Sequence, residues 1–282
     1  MTSRPRGARG GLVTAALVLV AGCGGTAAEP VDAGATGADA AEGVDAGTLP
    51  APADVTGAVA LTELRMGGGA WGAGATADFY RAADFTVPTP AASVGACFVY
   101  TGGAAGMHAT PSLDVGDIDV TGGTVPVHFA LSGGAYAGDL PMGTGAMFTD
   151  ASMLHLVAAG GADVPAFSLD VLAPPRIALT APVVTAPLTI DRAVDLVVTW
   201  DPNDATDMYL EITGGEVVVA CGAADSAGTL TVPAEALGRL PPVAAGRGMF
   251  MLTRTARVRA RVGDATVSLQ PALTECIMCG VR

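Results

Sequence analysis

The chain has no lysine: all 14 of its basic residues are arginine, set against 27 acidic ones for a formal net charge of −13. Without lysine there is no Gly-Lys-Ser/Thr phosphate loop, no Schiff-base amine and no Ser-x-x-Lys pair. The acid excess argues against general affinity for nucleic acid. Histidine is scarce as well, three in 282 residues, whereas a hydrolase needs a base within reach of a nucleophile and an orienting acid. One of the three, His128, is expected to face solvent, because Val125, Val127, Phe129 and Leu131 take the opposite register of the same run. Neither Gly-x-Ser-x-Gly nor His-Glu-x-x-His occurs. No long stretch repeats its apolar residues at a helical period, so helix-rich architectures are excluded.

What is present begins with Arg4, Arg6 and Arg9, then the apolar run from Leu12 to Ala21, then small residues before Cys23. A charged start and a short apolar core make an export signal. The run is about half of what a membrane-spanning helix needs. Val20-Ala21-Gly22-Cys23 resembles the lipobox of bacterial lipoproteins. The resemblance implies that residues 1–22 are removed and that Cys23 carries the lipid holding the protein to a membrane. Gly24, where an Asp would favour inner-membrane retention, implies the outer membrane in a two-membrane host. Residues 23–53 are rich in Ala, Gly and Asp and lack aromatics; they cannot bury enough apolar surface to offset their ordering entropy and are expected to be a disordered tether.

Beyond the tether, short runs alternate apolar with polar or small residues between Gly, Pro and Asp, the period of half-buried strands. Ala58 to Met66, Val94 to Tyr100, Val194 to Trp200, Met208 to Thr213 and Phe250 to Val262 are of this kind. The expected fold is all-β, two β-sandwich domains at 54–175 and 176–282, divided by Pro174-Pro175, which cannot continue a ladder. Pro233 to Leu240 is the one helical turn expected. In the second domain, Asp195-Leu196-Val197-Val198-Thr199-Trp200-Asp201-Pro202 followed by Met208-Tyr209-Leu210-Glu211-Ile212 resembles the second and third strands of fibronectin type III and related immunoglobulin-like domains. The resemblance implies that Trp200 and Tyr209 pack on one core. The first domain resembles no family.

Four sets of residues are candidates for chemistry. Trp71 among glycines, with Tyr80 nearby, can stack on a sugar or a partner surface, though such an aromatic more often folds onto its own domain. Arg257, Arg259 and Arg261 alternate with apolar residues and form a guanidinium stripe suited to phosphate or carboxylate polymers, or a solvated outer strand face. Asp201, Asn203, Asp204 and Asp207 are a weak calcium candidate, but the Gly and Glu of an EF-hand are replaced by Thr206 and Ile212, and a tight turn uses the same residues. Cys97, Cys221, Cys276 and Cys279 meet an oxidising compartment after export. A bond between Cys276 and Cys279 would close too short a loop to constrain much, so one is expected to pair with Cys221 and the other with Cys97. No metal or other cofactor is implied.

The leading expectation is therefore a non-catalytic lipoprotein of the cell envelope, surface-exposed or periplasmic, with a structural or contact role. The first alternative is a module that binds a carbohydrate or envelope polymer; the second is an exported hydrolase of unrecognised type. Expected partners are the membrane, through Cys23, and an envelope polymer or protein, but no nucleic acid.

Overall fold

The structure, a computed structural model, describes residues 55–66, 70–84, 88–102, 111–140, 145–183, 187–203 and 206–282. All belong to one compact unit, Leu49–Arg282. Cys23, the tether, His108 and Asp204 lie outside the described residues.

The fold is all-β. The first half of the chain supplies β1 (Val55–Met66), β2 (Ala70–Arg81), the hairpin β3 (Ala92–Val94) and β4 (Cys97–Thr101), then β5 (Ile118–Thr121), β6 (Val127–Ser132), β7 (Ala135–Gly138), β8 (Met153–Ala158) and β9 (Phe167–Leu172). The second supplies β10 (Leu179–Ala181), β11 (Leu188–Ile190), β12 (Leu196–Trp200), β13 (Thr206–Gly214), β14 (Val217–Ala224), β15 (Thr229–Val232), a one-turn helix α1 (Ala234–Leu237), β16 (Val243–Ala256), β17 (Val258–Val262) and β18 (Ala265–Val281).

Two hydrophobic cores form, and neither is contiguous in sequence. The first gathers Val59, Leu61, Phe79, Ile118, Phe129 and Leu154 with Val267 and Leu269 from β18. The second gathers Val198, Trp200, Met208, Leu210, Ile212, Phe250 and Leu252 with Cys97 and Val99 from β4. Each half thus lends strands to the other. The physical reason is the length of β18, 17 residues, about three times the usual strand, so that one strand runs past both cores. Its odd-numbered residues Val267 and Leu269 enter the first core, and Leu273, Ile277, Cys279 and Val281 on the same face enter the second. The Pro174-Pro175 boundary therefore separates most of each core without separating two sheets.

Fifteen strands form one continuous sheet, in the order β3-β4-β14-β13-β16-β18-β1-β2-β7-β6-β5-β8-β9, with β11 and β17 also on β18. The centre is the parallel pairing of β1 with β18, Val55 opposite Ala265 through Met66 opposite Cys276. At the far end β9 returns against β17 and β18 and rolls the sheet around the first core. Within β1, Gly57 is where Phe79 lies flat on the backbone; a Cβ there would sit 2.1 Å from the ring. Around the second core, the sheet β10-β12-β15 faces β14-β13-β16-β18. Trp200 is buried there, as the fibronectin-like register implies. Tyr209 is not: Met208, Leu210 and Ile212 take the inward register, and Tyr209 lies on the outer face over Gly222.

The cysteine pairing differs from expectation. Cys97 and Cys221 are bonded to each other, adjacent on β4 and β14 with Cα atoms 4.1 Å apart. Cys276 and Cys279 are buried free thiols. They are three residues apart on a strand, so their side chains leave opposite faces: Cys279 enters the second core, and Cys276 faces outward.

Candidate functional site

A charged residue in an inward strand register is the strongest polar signal in this fold, and there are two such places among the described residues. The first lies between the cores, where β1 and β18 run on past the apolar residues. Glu63 follows Val59 and Leu61 in the inward register and is buried; its Oε2 accepts the Met147 N–H at 3.0 Å. Two residues on, Arg65 Nη1 donates to Glu275 Oε1 at 2.9 Å, directly across the ladder. Burial pushes both carboxyls above their ordinary range, partly countered for Glu63 by backbone N–H groups of Met147 and Phe148 and for Glu275 by Arg65. Arg176, just past the two prolines, adds positive potential to both.

The second lies at the edge of the second core. Arg254 follows Phe250 and Leu252 in the inward register and is 2% exposed, and its partner Asp225 is fully buried. Arg254 Nε meets Asp225 Oδ2 at 2.6 Å, and Nη2 donates to Oδ1 at 3.0 Å. The remaining guanidinium hydrogens go to the carbonyls of Pro175, Arg176 and Asp201. Asp225 also accepts from Trp200 Nε1 at 2.7 Å and from the Thr206 hydroxyl. This clamp ties the connection between the halves to the core tryptophan. Neither place was singled out in the sequence, though reading the inward register of β1 and β16 through to its end finds both.

The structure brings neither His128 nor His155 to either place. His128 on β6 pairs with Asp119 on β5, and His155 on β8 with Asp170 on β9, each at 2.8 Å and each on the exposed outer face of the sheet. His128 faces solvent as expected, and its hydrogen bond to Asp119 raises its pKa.

Of the other candidates, Trp71 sits on β2 opposite Arg65; its side chain lies outside the described residues. Tyr80 is half-buried on the outer face of β2. Arg259 and Arg261 are exposed on β17, on the face shared with Ser268 and Thr266. Arg257 falls in the break between β16 and β17, half-buried, so the stripe holds two exposed guanidinium groups on the strand. Asp201 gives its carbonyl to Arg254, and Asp207 is on β13. Among the described residues no three His, Cys, Asp or Glu side chains group as a metal site. No helix among them is long and apolar enough to cross a membrane.

No protein-family description matches the chain, and no curated protein matches it. Among solved structures it is similar to the fibronectin domains FN1–FN3 of chicken CNTN1, at 9% identity and a TM-score of 0.18, over 60% of this chain and 60% of that one. The chain therefore spans less than two thirds of that structure's length. The class defined by the fold is an all-β protein with two cores built on one shared sheet and a disulfide between the halves.

Proposed function

We propose that the chain is an exported lipoprotein, anchored through Cys23, whose β-structure is a rigid, non-catalytic contact body of the cell envelope. The observation that carries this reading is the shared sheet: β18 serves both cores, the Cys97–Cys221 bond ties β4 to β14, and the Arg254 clamp holds the crossover. Such a body transmits position and force without a hinge, which suits a spacer or adhesive surface. The buried carboxylates Glu63 and Asp225 are tied to backbone and arginine donors, and His128 and His155 stand on an open sheet face, arrangements that favour structure over acid–base work.

Fractionating cells that carry wild type or Cys23→Ser tests the anchor. The wild type is expected in the membrane fraction and the variant in the soluble exported fraction; equal membrane recovery of both would refute it. The exposed pair Arg259 and Arg261 favours, as a second reading, contact with an anionic envelope polymer. Retention on an anionic glycan array that is lost in Arg259→Gln/Arg261→Gln would move that reading ahead.

A further inference from the structure

The chain has ten methionines, and four of them surround one cysteine. On the sheet face opposite the cores, Cys276 of β18 lies directly between Met66 of β1 and Met251 of β16. The next outward pair along the same two strands is Met278 with Met249. Cross-strand neighbours on one face have Cβ atoms about 4.5–5.5 Å apart. A methionine sulfur has the reach and the freedom of three rotatable bonds to close on the thiol between them. Met66 and Met278 are each 46% exposed, whereas Met251 is buried and Cys276 is 4% exposed. The cluster is thus closed below and open above. Of the other methionines on this sheet, Met153 on β8 and Met208 on β13, neither lies beside a cysteine in the ladder. Five sulfur-bearing side chains thus occupy two neighbouring outward rungs, and two of them face water.

We propose that Cys276, Met66, Met251, Met249 and Met278 form a binding site for a soft monovalent cation, Cu(I). Thiolate and thioether ligands select such ions and are poor ligands for Mg, Ca or Mn. Zinc would call on histidine or further cysteine or carboxylate: Glu275 and Cys279 leave the opposite face of β18, and no group of three such residues forms among the described ones. Binding exchanges one bond for another: the Cys276 S–H breaks, its proton goes to solvent, Sγ bonds the ion, and no electron moves. Burial pushes the Cys276 thiol above its ordinary pKa, so the metal-free site holds the neutral thiol and binding drives the deprotonation. This inference is independent of the proposed contact role.

The test uses the full oxidised chain under anaerobic ascorbate, which keeps copper as Cu(I), with a chromophoric Cu(I) chelator as competitor and Ag(I) as a redox-inert second probe. The expected result is one equivalent bound, with a thiolate-to-copper charge-transfer absorption that persists in Cys23→Ser and Cys279→Ser and disappears in Cys276→Ser. The Met66→Leu/Met251→Leu pair conserves volume and is expected to fold, so weakening of about tenfold or more would isolate the sulfur contribution. No binding by the wild type, or Cu(I) affinity unchanged in that folded methionine pair, would overturn the proposal. The methionine pair decides the matter even if Cys276→Ser fails to fold.

Discussion

Truncating either partner of the Arg254–Asp225 pair should unfold the second core well below the wild-type temperature. Arg254 is 2% exposed and Asp225 fully buried, so removing one leaves the other as an uncompensated charge away from water. Breaking a buried pair in this way costs about 3–5 kcal/mol. Asp225→Ala additionally strips the Thr206 hydroxyl of its acceptor and leaves the Trp200 indole N–H only the residue-225 carbonyl, which places it at the upper end of that range. Arg254→Met leaves the Pro175, Arg176 and Asp201 carbonyls without their donor. For a cooperative unit of this size the loss corresponds to a fall in melting temperature of about 6–20 °C. Thermal unfolding followed by circular dichroism, without reductant, gives the single-variant values. The double variant Arg254→Met/Asp225→Asn, set against the singles Arg254→Met and Asp225→Asn, removes both charges while keeping an acceptor for Trp200. It should be less damaged than the sum of the singles by more than about 1 kcal/mol, the signature of coupled neighbours. Single variants that melt within about 2 °C of wild type, or a strictly additive double variant, would refute the reasoning.

Peptide mapping of the unreduced chain is expected to recover Cys97 linked to Cys221, with Cys276 and Cys279 alkylated only after denaturation. Because the bond closes a span of 124 residues, Cys97→Ala/Cys221→Ala should cost about 5 kcal/mol on the chain-entropy account, read as a lower denaturation midpoint. Stability should also rise on mild acidification. Burial raises the carboxyl pKa values of Glu63, Glu211 and Glu275, so the folded chain takes up protons at a higher pH than the unfolded chain. Their contribution grows as pH falls from neutral towards the ordinary carboxylate range. His128, raised by Asp119, contributes below the ordinary imidazole value and loses that contribution as pH rises through its folded value, which is the same direction. The melting temperature should be higher at pH 5 than at pH 8, and the reverse order would contradict the assigned shifts.

The strands were legible because alternation is a local property. β1, β6 and β13 lie within a few residues of their predicted runs, and the turn at Pro233 to Leu240 appears as α1. Which face a residue takes was legible only where the apolar majority is unambiguous: His128 was placed correctly, whereas Tyr209 was assigned from the resemblance and not from the register of Met208, Leu210 and Ile212. Pairing between distant segments was not legible at all. Nothing near Cys97 encodes that β4 will lie beside β14, and nothing near Leu269 encodes that β18 will cross from one core to the other, because ladder partners are chosen by the packing of the whole sheet. Arg254 was hidden for a related reason. It was read as part of a long strand, and a charge in the inward register has meaning only once a partner such as Asp225 is brought to it.

The pairing of β1 with β18 joins residues 210 positions apart, and this bears on assembly order. Closing so long a loop precedes the contacts that reward it, so the central ladder should form late and slowly. Until β18 arrives, the first core lacks Val267 and Leu269 and the second lacks Leu273 and Ile277, which leaves both with open apolar edges. The chain becomes a solid body only once β18 is available to pair. It cannot be cut at Pro174-Pro175 into two working pieces, since each fragment would carry an unpaired edge prepared for a strand that the other fragment holds.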